Sequence, residues 1–454
     1  MANGTQAPRP RSYFGPIVLI SVGVVFLLIN AGLLSWGKVG GWFAHYWPLF
    51  IILWGVVKLV EYYQARSEGR PAPGIGGGGI VLLIFLIMFG MMASQAARVN
   101  WGSVGDELDL GDDFPIFFGT RYTYNQQIDQ DFPAGGSLRV ALDRGDIKLR
   151  AGTDDKLHVT VRKTVLAGSA SEADRIHASM QPTVNLSGSE VVIGISNYSR
   201  GSAMDIEIQV PRKAMADLMT LRGDVRVEGR EGNVKLQTSR GDVSAEDVTG
   251  NAEIHLRRGS VRARNITGDV DVEGRVNDSN LSEIGGVVNL HGDYFGTMSV
   301  AKVGKGVRFK SSRTDLEMGR LDGDMTMEIG DMRARGVSGN FRIVTRAKDI
   351  HLEDVSGDIK VDNNHGDVEL TASKPPLGTV EIVNDHGHII VELPAKGSFQ
   401  MNARTDHGDI QSDFSELKVE DQNRESKAAG SVGTGGPTVR LTNSHGDINI
   451  RKTG

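Results

Sequence analysis

From Gly223 onward the chain repeats a five-residue phrase: glycine, a small polar residue, an apolar residue, any residue, a second apolar residue. It reads GDVRV at 223, GNVKL at 232, GDVSA at 241, GNAEI at 250, GSVRA at 259 and GDVDV at 268. The phrase recurs at 277, 286, 296, 305, 314, 323, 330, 339, 348, 357 and 366, and 14 of the 16 steps are nine residues long. A short fixed period points to a solenoid, in which each unit buries its apolar face only against its neighbours. The apolar-x-apolar alternation is a strand with two inward side chains, and glycine supplies the turn, where φ can be positive. The eighth residue is apolar in every second unit, as Val248, Ile266, Ile284, Val303, Leu321, Val337 and Val355. Ser239, Arg257, Ser312 and Asn364 fill that place in intervening units. Two unlike nine-residue halves therefore make one coil of about 18 residues. Seventeen units give about eight coils, roughly 40 Å of solenoid at ~4.8 Å per strand.

Composition removes competing classes. The 58 glycines lack a triplet period and stand beside only 14 prolines, which excludes collagen. With no cysteine, disulfide frameworks, thiolate metal sites and thiol nucleophiles are excluded. A net charge of −6 argues against a nucleic-acid partner.

The first hundred residues are of another kind. Three apolar stretches, about 16–36, 42–60 and 75–94, are each long enough to cross a bilayer core of ~30 Å. Trp36, Trp42, Tyr46, Trp47, Tyr62 and Tyr63 cluster at their ends, as interfacial aromatics do. Gly37 to Gly41 reads as a tight hairpin link between the first two. Arg9, Arg11, Arg66 and Arg70 on one side, against Lys38 and Arg98 on the other, place the N-terminus in the cytoplasm. Three spans then put the remainder outside.

Before the repeat, 137–152, 156–165, 184–196 and 203–210 alternate like strands. SEADRIHASM (171–180) carries a Ser-x-x-Asp cap and reads as a short helix covering an open end of the solenoid. The expected organisation is a cytoplasmic tail (1–15), a transmembrane region (16–94), a linker (95–134) and an N-terminal β segment with the capping helix (135–217). A regular β-solenoid (218–373) and irregular C-terminal coils (374–454) follow, with a loop at 421–437 and TVRLTNSHGDINIRK closing the chain as a last coil. The fold class is all-β, a single-stranded β-solenoid preceded by three transmembrane α-helices.

GPIVLISVGVVFLLINAGLLSW followed by WPLFIILWGVVKLV resembles the LiaI/LiaF-like transmembrane region of bacterial envelope proteins, over about residues 13–63. LDRGDIKLRAGTDDKLHVTVRKT, IQVPRKAMADLMTLRGDVRVEG and the later Gly-Asp-Val turns resemble the bacterial "putative adhesin" family, a β-solenoid domain of unknown function, from Leu142 onward. The resemblance implies a fold and an envelope location, and carries over no catalytic residue.

Two constellations stand out. Aspartates at 224, 242, 278, 315, 331, 349 and 367 fall on one corner. Stacked there they either hold a weak cation or, more simply, each accept a backbone hydrogen bond in its own turn. NNHGD, NDHGH, TDHGD and NSHGD form a histidine series, His365, His386, His407 and His445. Beside Asp385 and Asp406 such a ladder offers ligands for a metal such as zinc, or titrates between pH 5 and 8. The plainer reading is that residues before glycine in these turns are selected because they tolerate left-handed backbone. Arg257, Arg258, Arg262 and Arg264 form a basic patch, read as a solvated face.

No metalloprotease, nucleophile-elbow or phosphate-loop motif occurs, so no catalytic residue and no cofactor is expected. The leading function is a non-enzymatic, extracytoplasmic scaffold of the bacterial cytoplasmic membrane. It meets the bilayer through 16–94 and an envelope protein or glycan through outward positions such as Arg226, Lys235, Glu253 and Arg262. A metal- or pH-responsive module and a polysaccharide-processing β-helix enzyme are the alternatives.

Overall fold

The computed structural model describes residues 36–67, 120–195, 201–374, 378–422 and 424–453, with isolated positions between 24 and 28 and between 83 and 91. The chain divides into two compact units. One includes the described helix Trp36–Ser67, and the other nearly all of the strands.

That 32-residue helix contains the second expected span and carries Pro48 in its interior. It also runs through Gly37–Gly41, where a hairpin link was expected. Three glycines weaken a helix by about 1 kcal/mol each without terminating it. Among the described residues no helix is long and apolar enough to cross a membrane. The first and third expected spans lie outside the described residues except at isolated positions. The short helix is Ala170–Ser179. Its cap sits two residues earlier than expected: the Glu172 amide donates to Ser169 Oγ at 3.3 Å, and the Gly168 amide to Glu172 Oε2 at 3.0 Å.

The strands form a two-faced parallel solenoid. Its first coil, Ser137–Arg144 and Ile147–Ala151, pairs in register with Met215–Arg222 and Val225–Glu231. The intervening residues are thus an excursion between two adjacent coils. Regular coils then advance by 18 residues, pairing Val234 with Ala252 on one face and Val243 with Val261 on the other.

The two halves differ for a backbone reason. Asp247, Asn265, Glu283, Lys302 and Asp354 all adopt left-handed φ between 50° and 60°. Each precedes an apolar eighth residue, and the ladder skips them, pairing Glu246 with Arg264 and Val248 with Ile266. This left-handed kink, repeated in register from coil to coil, turns the eighth side chain inward. In the other half simple alternation continues, so Val234, Leu236 and Thr238 point in and the next residues do not.

The aspartate corner is a hydrogen-bond ladder between coils rather than within turns. Asp146 Oδ1 accepts the Asp224 amide, Asp224 Oδ1 the Asp242 amide and Asp242 Oδ1 the Ser260 amide, at 2.8–2.9 Å. On the opposite corner Asn233 and Asn251 accept amides in the same way. Asp146, Asp224 and Asp242 therefore each have a backbone donor as partner.

Two departures correct the regular pattern expected over 218–373 and beyond. First, Thr314–Met327 runs antiparallel to Met298–Val303, Gly306–Lys310 and Asp331–Ala347. One coil is thus traversed backwards before the parallel order resumes at Asp349–Ser356. Its inward column is uninterrupted, Val303 against Leu321 and Leu321 against Val337. Asp315 leaves the aspartate corner as a result and lies 3.6 Å from Arg342.

Second, 421–437 is largely not a loop: Lys418–Gln422 and Glu425–Val432 are strands, the latter antiparallel to Phe399–His407. Small inward residues make this possible, Ser426 and Ala428 being buried. Nor does the final coil close the solenoid. Thr438–His445 and Ile448–Thr453 insert between Val380–His386 and Ile389–Pro394 on one side and Phe399–His407 and Ile410–Ser412 on the other.

The interior is apolar apart from a minority of buried polar side chains. Arg230, 1 % exposed, takes the place of an apolar eighth residue. It donates to the carbonyls of Val210 (3.1 Å), Pro211 (2.8 Å) and Ala214 (2.6 Å), tying down the turn before the first regular strand. Burial draws its guanidinium down to about 10, still charged at neutral pH.

Candidate functional site

The histidine corner is built by the residue two places before each imidazole. Asn363, Asn384, Thr405 and Asn443 point inward and are at most 1 % exposed. Asn363 Nδ2 donates to the Lys348 carbonyl at 3.0 Å, Asn384 Nδ2 to that of Gly366 at 3.0 Å, and Asn443 Nδ2 to that of Gly387 at 2.8 Å. Thr405 Oγ1 donates to the Gly446 carbonyl at 2.8 Å. Alternation breaks at the strand end, where a histidine two places after the inward residue is exposed instead of buried. The following glycine makes the turn, with φ of +116°, +125° and +126° at Gly366, Gly387 and Gly446. None of the histidines adopts positive φ, so tolerance of left-handed backbone does not explain them.

The four rings form one stack in the order His365, His386, His445, His407. Centroid separations are 4.8, 4.5 and 4.7 Å, and ring planes lie within 6° of parallel. His445 stands between His386 and His407 because the last coil is inserted there.

Of the two predicted aspartates only Asp385 joins the group, its Oδ2 3.2 Å from His386 Nδ1. The Ser444 hydroxyl, then the charges of His386 and His445, hold its carboxyl below the usual range. Ligand atoms of Asp385, His386 and His445 all lie within 4.8 Å of one another. Asp406 is drawn away by Arg404, whose Nε donates to it at 3.0 Å.

Sequence reasoning missed two neighbours. His388 stands where other coils place aspartate, and its Nδ1 accepts the Asp447 amide at 3.2 Å; the second histidine of NDHGH was the signal. In the N-terminal coils the strand-end column is arginine, Arg144, Arg222 and Arg240 in register, announced by three Arg-Gly-Asp triplets.

The outward faces are largely self-paired. Lys235 Nζ lies 2.7 Å from Glu253 Oε1, and an Arg226 NH group lies 2.7 Å from Asp224 Oδ2. Three of the four contact positions expected from sequence are thus engaged within the ladder. The basic patch is diluted too, since Arg262 is flanked by Ser244 and Asn280, and Arg264 by Glu246 and Ser282. A groove over such positions is lined by Arg139, Asp217, Lys235 and Asp271, among others.

Elsewhere on the solenoid His158, His255 and His351 each lie against carboxylates. His158 Nδ1 lies 2.6 Å from Asp129 and Nε2 3.1 Å from Asp154, so the imidazolium donates from both nitrogens. Hydrogen bonds to Asp129 and then Asp154 raise its pKa. A folded pKa raised above the unfolded value of about 6.5 contributes stability that is complete below that pH. This contribution is lost as pH rises through the folded pKa. The melting temperature of the full chain is expected to decline over that interval, and His158→Gln to remove that component; an unchanged pH profile would refute the coupling.

Residues 136–451 match the Toastrack DUF4097 family model, and residues 14–105 match the LiaF transmembrane domain. No curated protein matches the chain. Among solved structures, a "putative cell adhesion protein" from Clostridium sporogenes is 9 % identical, with 74 % of this chain and 100 % of that one covered at a TM-score of 0.17. A "putative adhesin" from Bacteroides fragilis is 14 % identical, with coverage of 74 % and 97 % and a TM-score of 0.18. A "putative lipid binding protein" from Parabacteroides distasonis is 8 % identical, with coverage of 73 % and 98 % and a TM-score of 0.18. At such scores the fold rests on the strand register and the family match.

Proposed function

The chain belongs to the Toastrack DUF4097 family, and from that membership we propose that it is a multi-pass protein of the bacterial cytoplasmic membrane whose solenoid is a non-enzymatic envelope scaffold. In this reading the N-terminus is cytoplasmic and the solenoid extracytoplasmic. The observation that carries it is that one chain matches a LiaF transmembrane domain and also forms long, regular, charge-laddered faces. Such faces suit shape and charge matching to an envelope protein or glycan better than enclosure of a reacting bond.

The test is crosslinking in native membranes. Photo-reactive residues at Arg262 and Arg264 are expected to capture a discrete envelope partner, and protease added to spheroplasts to digest the solenoid. Turnover of envelope polysaccharide by the purified chain would overturn the scaffold reading, and protection of the solenoid would reverse the orientation.

A second reading, an ion- or pH-responsive module, is favoured by one specific observation, the four stacked imidazoles. Protonation places positive charges in adjacent rings under 5 Å apart, and a metal ion competes for the same nitrogens.

A further inference from the structure

We propose that Asp385, His386 and His445 bind one borderline divalent cation of the zinc class, and that this ion clips the inserted last coil into its slot. The proposal rests on the ion-responsive reading above and adds the ligand set and its consequence. Asp385 and His386 belong to Val380–His386, and His445 to Thr438–His445, so the ligands come from segments 59 residues apart. The three converge only once the last coil is seated. An imidazole–imidazole–carboxylate set with one position left for water is the composition of open zinc sites.

The geometry needs a small adjustment. Ligand atoms now within 4.8 Å must approach to about 3.4 Å around a tetrahedral ion with bonds of ~2.0–2.1 Å. Parallel rings aim their lone pairs side by side, so one imidazole must also rotate. Both demands are met by exposed side chains: His386 and Asp385 retain 47 % and 49 % of their side-chain exposure. A hydrogen bond from Ser444 orients the Asp385 carboxylate as an outer-shell partner does. His365 and His407 flank the set as the outer rings of the stack.

An ion held only by the seated coil stabilises the seated state by mass action. At free zinc 100 times its dissociation constant, transient unseating should fall about 100-fold.

The test uses the full chain in detergent with zinc chloride as the probe. Calorimetry and metal analysis are expected to give one zinc per chain, lost in Asp385→Ala and His445→Gln and kept in His365→Ala. Unfolding without zinc checks that each variant is folded. Hydrogen exchange of amides in 438–445 is expected to slow about 100-fold with zinc. Absence of binding, or binding unchanged in His445→Gln, would refute the site and the metal arm of the second reading. One bound zinc with unchanged exchange would refute the clip alone. The scaffold reading is judged separately by crosslinking.

Discussion

Replacing Leu441 and Ile448 together by alanine is expected to unseat the last coil while the early coils stay folded. The two side chains point into the interior from opposite faces of that coil, and both are 0 % exposed. Each truncation of this kind costs about 2–5 kcal/mol, a large share of a typical net stability of about 5–15 kcal/mol. The loss should stay local, because a solenoid's stability is close to a sum of units and their nearest-neighbour interfaces. Urea unfolding followed by hydrogen exchange should show 438–453 and its neighbours, Val380–His386 and Phe399–His407, losing protection first. Strands near Val234–Arg240 should keep theirs. A single transition shifted uniformly along the chain would contradict the local account.

The second large effect is expected at the glycine corner. A Cβ on Gly241, whose φ is +144°, would lie 2.0 Å from the Gly223 carbonyl oxygen of the coil below. The same clash recurs at Gly223 over Gly145 and at Gly259 over Gly241, so a column of glycines lets successive coils approach. Gly241→Ala should therefore cost about 4 kcal/mol or more, since backbone strain adds to a forced separation of coils. The next residue gives an internal scale. Asp242→Ala removes the acceptor of the Ser260 amide and should cost about 1–2 kcal/mol, while Asp242→Asn keeps an acceptor oxygen and should cost little. Gly330→Ala, with nothing within 4 Å of the added carbon, should stay within about 0.5 kcal/mol of neutral. Chemical denaturation of the four variants orders these effects. Equal costs at Gly241 and Gly330 would mean that the corner does not need glycine.

What could be read in advance, and what could not, follows from the physics of parallel ladders. The coil and its inward residues were legible because burial imposes a period that side chains must obey. The alternating eighth residue was legible as a pattern, but its cause was not. Asp247, Asn265, Glu283, Lys302 and Asp354 share no side-chain type that marks left-handed backbone. The reversed strand Thr314–Met327 was hidden because an alternation of period two reads the same in both directions, and Leu321 fills the inward column either way. The stacking of the four histidines was foreseeable, but not their order. The 38-residue step from His407 to His445 suits several placements. Asp406 was lost to Arg404, two residues away on the same strand, a competition that spacing does not reveal.

The backward coil has a consequence for how the molecule comes to be folded. Parallel neighbours elsewhere must bring together residues 18 or more apart, and 78 apart in the first coil. Thr314–Met327 meets Gly306–Lys310 and Asp331–Ala347 through turns of only three residues, Ser311–Arg313 and Glu328–Gly330. Such short closures form in microseconds, and contacts of low sequence separation lower the entropy that must be surrendered before burial repays it. The antiparallel pair is thus a place from which winding can begin in the middle of the chain and spread both ways. The first coil and the last would then be the latest to lock.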